Sequence, residues 1–542
     1  MKRPIKFILC SLFTVLFVVS GGFLFKSTLV RAEGEPSSYV IRGASARIAN
    51  DGKSGLKFNS YLSAQDYESV VKAKNAKTGI IVLPGDLCDD YDITLQTPQV
   101  YSVETTDLWS AFNEGDYDGY SAELYLFNIP AADYGRELVA RGYYESDGKT
   151  YYTKPCVRSL SFVAAAALKD SGAQYNDEQI QTLNEYSSVA TVHKFGADNV
   201  CACGEKFGFA PIELTSAGNN LTLPFGAKSI DELAIDGKTV SEFTLDSRGI
   251  TINDFKTVLG IADVYKDARD KTVSITSGGK TLTTVVKFAS KIITQADLGN
   301  DPNVIPQKFN SIIFVSAVEY QGYYLLGEDL DFYGGVAYST NSSNNAAPKF
   351  QGTFDGMGYS ISNYVVKKQF NALFGNVYTT GTVKNLAVKN VSVEGSSNWL
   401  GVVACANLGT ISDVYAEYSV SATGINNNNP AGMVARNDGT IRNCIAKVTV
   451  ASDYAYKTAI GAIAGYSATD KIYDCFAIVS DEEINIMNAR GTTPIAKVPT
   501  CQAFTSTDDF FAALAANEIS VANYCEYWNL DTENKLITIA NK

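Results

Sequence analysis

Apolar and polar positions alternate over much of the chain at the period of two that a half-buried strand requires. Tyr39-Val40-Ile41 and Leu56-Lys57-Phe58 open the pattern, and Thr78 to Pro84 is a buried-strand run stopped by proline. Glu123 to Ile129 predicts another strand, feeding a short helix through Arg136, Leu138 and Arg141. Helical stretches are predicted at Ser161 to Lys169 and at Asp177 to Tyr186, so residues 33–192 read as an α+β module. Residues 193–209 lack periodicity and read as a linker. In residues 210–290, Asp236-Gly237 and Gly278-Gly279 separate alternating runs such as Thr272 to Ile275 and Thr281 to Val285. That is hairpin chemistry, and it predicts a small immunoglobulin-like β-sandwich.

Repetition takes over in residues 291–490. Gly381-Thr-Val-Lys-Asn385, Gly409-Thr-Ile-Ser-Asp413, Gly439-Thr-Ile-Arg-Asn443 and Lys471-Ile-Tyr-Asp474 align, their last positions 28, 30 and 31 residues apart. Leu386, Val414, Cys444 and Cys475 then form one column, and Val388, Ala416, Ala446 and Ala477 a second. A repeat of about 30 residues cannot bury an apolar face alone, so the copies must stack. A right-handed parallel β-helix is expected, with both columns pointing into a narrow interior. Residues 491–542 form its expected cap: Ser506-Thr-Asp-Asp509 is a helix N-cap with acids in the first turn, ahead of Phe510, Phe511 and Leu514. The short helix is expected to cover the open end of the stack, and Tyr524 to Ile539 to add a strand pair. The fold class is thus mainly β, in three modules.

Gly322 to Phe332, Phe350-Gln-Gly-Thr-Phe354-Asp355-Gly-Met-Gly358, Leu373-Phe374-Gly375 and Gly381 to Leu386 resemble the GLUG-motif β-helix proteins. The resemblance spans roughly residues 292–480. It implies a surface protein or adhesin of bacteria, in a family whose members are mostly non-catalytic. The fourth copy departs from the pattern, with Ala468-Thr-Asp470 in place of the Asn-x-Gly turn. Gly43 to Arg47, Gly55 to Phe58, Asn128-Ile129 and Tyr134 to Tyr143 resemble, more faintly, an uncharacterised extracellular module of Gram-positive gut bacteria. That likeness implies location more than activity.

Charge and composition narrow the function. Residues 1–32 read as a secretory signal, with Lys2, Arg3 and Lys6 before the apolar run Phe7 to Phe25 and Val30-Arg31-Ala32 preceding the cleavage point. The competing reading is an uncleaved membrane anchor, the chain's one expected membrane contact. Removing this segment leaves 40 basic against 58 acidic side chains, a net charge of −18. Such a chain repels nucleic acid, which is not an expected partner. His193 is the sole histidine, which excludes zinc sites built on two or three histidines and any triad that does not use His193 itself. Nine cysteines outside the signal, an odd number spread over a long chain, do not look like a disulfide framework.

Each candidate chemistry has a plain structural counterpart. Asn385, Asp413, Asn443 and Asp474 would form a ladder along the helix edge. Asp413 and Asp474 could pair as catalytic acids, but turn-stabilising side chains explain the alternation better. Asp329, Asp331 and Asp355 offer oxygens to calcium without the regular spacing of a dedicated loop. Cys201 and Cys203 with His193 supply only three metal ligands, so an exposed linker is expected, with a local disulfide as one option and the cysteine pairing left open. Cys444 and Cys475 are expected to be buried and inert. The ligand-binding candidates are aromatic: Tyr143, Tyr144, Tyr151, Tyr152, Tyr323, Tyr324 and Trp399, whose rings could stack on sugars if exposed. No catalytic, cofactor or metal residue is assigned. The expected protein is an exported, non-catalytic binder of an extracellular glycan or protein. A carbohydrate-active lyase or glycosidase and a purely structural component are the alternatives.

Overall fold

A computed structural model describes residues 38–49, 54–88, 91–114, 117–170, 175–196, 198–214, 220–314, 321–337, 349–396, 399–426, 430–468, 470–487 and 500–540. The signal reading of residues 1–32 lies outside them. Among the described residues no helix is long and apolar enough to cross a membrane. The chain divides into two compact units: residues 1–209, 219–260 and 271–286, and residues 210–218, 261–270 and 287–542.

The first unit opens with an antiparallel sheet ordered Val40–Arg47, Gly55–Ser63, Tyr117–Phe127, Ser110–Glu114. A second sheet centres on Lys77–Pro84 and Leu138–Ser146, paired antiparallel from Lys77↔Glu145 to Pro84↔Leu138. The helix expected around Arg136 to Arg141 is therefore a strand. Its residues continue into Val139 and Ala140, both fully buried, and they supply the backbone partners that the Thr78 to Pro84 run needs. The predicted helices are present as Leu160–Lys169 and Asp177–Ser187, each with a side-chain N-cap, Ser159 and Asn176. Leu160, Val163, Ala164, Ala167, Leu183 and Tyr186 seat them against Leu56, Phe58 and Leu124 of the first sheet. Farther along lie a three-stranded antiparallel sheet, Leu221–Leu223, Gly249–Ile252 and Phe243–Asp246, and a larger sheet containing Glu232–Ile235 against Val273 to Thr276.

The second unit is a parallel β-solenoid of about six turns. One sheet runs through Lys291–Ile293, Tyr323–Leu326, Thr353–Asp355, Thr382–Val393, Thr410–Val420, Ile445–Val450, Phe476–Val479 and Gln502–Phe504. A second, six-stranded sheet includes Leu400–Asn407, Ala431–Asn437 and Ile460–Ser467. The two predicted columns are real. Leu386 pairs with Val414, and Val388, Ala416, Ala446 and Ala477 follow one another in register. All of these, with Cys444 and Cys475, are fully buried.

Stacking at about 4.8 Å leaves little room at the turns. A Cβ on Gly439 would lie 2.3 Å from the Gly409 carbonyl oxygen, and one on Gly409 would lie 2.2 Å from that of Gly381. Asn407, Asn437 and Ser467 form a second, fully or nearly buried ladder, with the Asn407 amide donating to Asn437 Oδ1 at 2.8 Å and the Asn437 amide to Ser467 Oγ at 3.1 Å.

Two apolar coverings complete the solenoid. The helix Ile305–Ile313 sends Ile305, Phe309 and Ile313 into the interior, where the Phe309 ring meets those of Phe332, Phe354 and Phe374 at 5.6, 5.8 and 6.0 Å. The helix Thr507–Ala515 does form on its Ser506 cap, but it is more than an end plug. Phe510, Phe511 and Ala513 pack with Ala387, Tyr415, Ile445 and Phe476, the outward positions of four successive coils. The following segment runs back beside the stack. Tyr524 Oη donates to the Asp474 carbonyl, the Asn443 amide donates to the Asn523 carbonyl, and the Cys525 N–H donates to Asp413. This sheet is thus apolar on both faces, and its second face needs a cover.

Candidate functional site

Asn385, Asp413, Asn443 and Asp474 all adopt left-handed backbone, with φ of 54°, 56°, 55° and 50°. Asn and Asp tolerate this conformation better than other side-chain-bearing residues. Asp413 is nearly buried and receives N–H donors from Asn443 and from Cys525. Its carboxylate is occupied with holding the turn and the C-terminal segment, and the same segment reaches the Asp474 backbone carbonyl through the Tyr524 hydroxyl.

Asp355 is the most enclosed carboxylate of the solenoid, fully buried with Lys287 Nζ at 3.0 Å and Lys384 Nζ at 3.5 Å. The Asn385 amide and the Met357 N–H also donate to it, at 2.9 and 3.0 Å. Burial pushes its pKa up, but Lys287, Lys384 and these donors outweigh burial and hold it below its ordinary value. Tyr323 lies beside this group, with Oη 2.9 Å from Asp270 and 3.1 Å from Lys287 Nζ, and burial keeps it protonated to high pH. A carboxylate kept ionised and a phenol kept neutral, both inside a closed network, serve to lock adjacent coils. Asp329 instead accepts from the N–H and hydroxyl of Ser360, and Asp331 from Tyr333 N–H and the Asn363 amide. The three acids considered for calcium each hold a separate turn.

The aromatic candidates divide by burial. Tyr143, Tyr144, Tyr323 and Tyr324 are buried, so the premise of an exposed stacking ring does not hold for them. Doubled tyrosines in a strand covered on both faces put both rings inside. Tyr151, Tyr152 and Trp399 are half-buried. The rings that reach solvent are elsewhere: Tyr333, Tyr456 and Tyr473, at 48%, 37% and 43% exposure. Tyr473 is paired in register with Arg442 on the neighbouring coil, and both side chains are exposed. Their positions were readable in the repeat, since each stands one residue before the ladder position, on the outward phase of the alternation.

In the first unit, a shallow hollow of about 270 Å³ is lined by Ser54, Asn128, Tyr134, Tyr186 and apolar neighbours, with no charged side chain among them. Within residues 193–209, read as a linker, the described residues make local backbone contacts. Isolated bridges join Phe195 to Cys201 and Val200 to Lys206, and a disulfide joins Cys201 to Cys203. His193 Nδ1 is 2.8 Å from Glu137 Oε1.

No family model matches the chain. A stretch of 197 residues, 33% of this chain, is 24% identical to halomucin of Haloquadratum walsbyi, of whose length the chain spans 2%. Among solved structures, a biofilm-associated protein, BSP domain, is similar at 10% identity and a TM-score of 0.15, over 47% of this chain and 53% of that one.

Proposed function

We propose that the chain is an exported, non-catalytic adhesion protein that meets an extracellular glycan or a cell-surface protein on the flank of its solenoid. The observation that carries this is that Tyr473 and Arg442, both exposed, stand in register on adjacent coils. A ring face next to a cation suits a sugar that carries a carboxylate, through stacking on one side and charge-assisted hydrogen bonding on the other. Trp399, half-buried on the solenoid, remains a secondary candidate, and Tyr151 and Tyr152 remain separate candidates within the first unit. Three things support a binder over an enzyme. Asp413 of the ladder is held by Asn443 and the C-terminal segment, Asp355 is closed off by two lysines, and the hollow of the first unit lacks ionisable side chains other than tyrosine. The likeness to halomucin and the signal-like residues 1–32 support a surface location.

The test is the purified chain against a panel of immobilised neutral and acidic polysaccharides and host glycoproteins, with bound protein and released reducing ends or unsaturated sugars both measured. Binding without release, reduced at least tenfold by Tyr473→Ala and by Arg442→Ala, is the expected result. Release of sugar overturns the non-catalytic reading, and full binding by both variants overturns this surface.

A further inference from the structure

The lone histidine, the cysteine pair and a buried glutamate meet at one point in the first unit. Glu137, His193, Cys201 and Cys203 each place one ligand atom within 4.8 Å of the others, the one such grouping found among the described residues. In sequence the site offers three ligands, because Glu137 is 56 residues away from His193; the fold supplies the fourth. Arg136 and Val192 form a parallel bridge, and Val192 N–H donates to the Gly135 carbonyl at 2.7 Å, so the next residue on each segment, Glu137 and His193, stand side by side.

The surroundings hold these groups in place. Arg136 is clamped by Asp86 through two 2.8 Å hydrogen bonds, and the Glu137 carbonyl receives Gly85 N–H at 2.8 Å. Glu137 is 3% exposed and points Oε1 at His193 Nδ1, while Oε2 accepts the Lys194 N–H at 3.1 Å. Such an outer hydrogen bond orients a ligating carboxylate. The His193 carbonyl is fixed by Gly226 N–H at 2.7 Å, and the ring lies against Phe195, which packs on Phe207 and Phe225. Cys201 N–H donates to the Glu205 carbonyl and Gly204 N–H to the Cys201 carbonyl, with Gly204 at φ 98° making the sharp turn after Cys203. Cys203 Sγ is 3.4 Å from His193 Nδ1. Cys201 and Glu137 are buried, while His193 and Cys203 are partly open to solvent and leave a way in.

We infer that Glu137, His193, Cys201 and Cys203 form a four-coordinate site for a borderline-soft divalent cation, zinc foremost, whose metal-free oxidised form is the Cys201–Cys203 disulfide. Two thiolates, one imidazole and one carboxylate suit tetrahedral zinc, with ligand bonds of about 2.0–2.3 Å. Those bond lengths set neighbouring N and S atoms about 3.5 Å apart, and N and O about 3.3 Å apart. The observed 3.4 Å already meets the first, and the observed 2.8 Å needs an opening of about half an ångström for the second. The two sulfurs must part to about 3.8 Å, which requires breaking the S–S bond. A dithiol reductant does this by exchange. It gives two electrons to the sulfur pair and leaves as its own disulfide, and Cys201 and Cys203 become thiols. Zinc then replaces the two thiol protons, which pass to solvent. Oxidation of the thiolates reverses the sequence and releases the ion.

The experiment uses the full chain, reduced under anaerobic conditions with a dithiol that is then removed, and titrated with zinc and separately with cobalt(II). One zinc per chain is expected, together with intense cobalt absorption bands in the red that mark four-coordinate geometry and a near-ultraviolet thiolate-to-cobalt band. Peroxide should release the metal in step with loss of free thiol. His193→Ala and Glu137→Gln are each expected to weaken zinc at least tenfold, and Cys203→Ser to cut the thiolate band by about half at saturating cobalt. Circular dichroism of each variant separates a lost ligand from a lost fold, and Glu137→Gln, which keeps shape and one hydrogen-bond acceptor, is the decisive variant if the others unfold. Absence of stoichiometric metal in the reduced wild type overturns the site. So does undiminished binding by Glu137→Gln together with cobalt bands typical of six oxygen ligands.

Discussion

Asp355 shows how a single side chain couples the solenoid to pH. Its carboxyl is held below the ordinary value of 3.8 despite burial, because Lys287, Lys384 and two N–H donors favour the charged form. A folded pKa below the unfolded one means that the unfolded chain binds the proton more readily in acid. The stabilisation is therefore complete above the ordinary carboxylate range and is lost as pH falls through it toward the lower folded value. Asp355→Ala is expected to cost about 3–5 kcal/mol at pH 7, since it leaves two half-buried lysines facing each other. Asp355→Asn should cost less at pH 7 and should flatten the loss of stability between about pH 5 and pH 3. Urea unfolding of the three proteins across that range measures both, and identical pH profiles would defeat the assignment. Gly439 makes a second residue-scale case, in which backbone meets backbone. A Cβ there lies 2.3 Å from the Gly409 oxygen, so the stack must spread or shear to accept it. Gly439→Ala should lower stability by about 1–3 kcal/mol in the same assay.

Helices and strands differ in how much of their place could be read from the chain. The columns Leu386-Val414-Cys444-Cys475 and Val388-Ala416-Ala446-Ala477 were legible because a 30-residue repeat and a two-residue alternation point to the same positions. The helix Ile305–Ile313 was not read, although Ile305, Phe309 and Ile313 recur at helical spacing, because nine residues around Pro306 give only a short run beside a strong strand pattern. Phe309→Ala should remove the ring that three phenylalanines share and cost about 3–5 kcal/mol in thermal or urea unfolding. A cost below about 1 kcal/mol would mean the helix is not part of the solenoid core. The C-terminal helix was legible as a helix, through Ser506, but not in its position. The outward column Ala387-Tyr415-Ile445-Phe476 is apolar, and a rule that faces only one side of a strand inward misses it. The same rule leaves Tyr323 and Tyr324 as candidates for exposure, although both are buried. Arg136 to Arg141 was misread as helix because charged residues near Leu138 imitate an amphipathic turn, while the strand partner that decides the matter is more than fifty residues away. Glu137 was missed for the same reason: only a tertiary bridge brings it to His193.

At the scale of a whole unit, the solenoid is completed by its own C-terminal segment, and this makes the segment's removal informative. Residues after Phe504 cover Ala387, Tyr415, Ile445 and Phe476, and they also supply the Cys525 N–H to Asp413 and the Tyr524 hydroxyl to the Asp474 carbonyl. A chain ending at Phe504 keeps the repeated coils and their interior columns, so its secondary structure should survive. It would, however, expose an apolar strip running across four coils, and the terminal strand Gln502–Phe504 would present an open edge that had lost its neighbouring helix. Contiguous apolar surface and unpaired strand edges both drive association. The shortened chain should therefore retain its far-ultraviolet circular dichroism and change from the full chain's state to a larger, concentration-dependent species in light scattering. Replacing Tyr415 and Phe476 by Ser in the shortened chain should reverse much of that growth. If the shortened chain remains the same size as the full one and unfolds at the same urea concentration, the C-terminal segment is an appendage and not a structural cover.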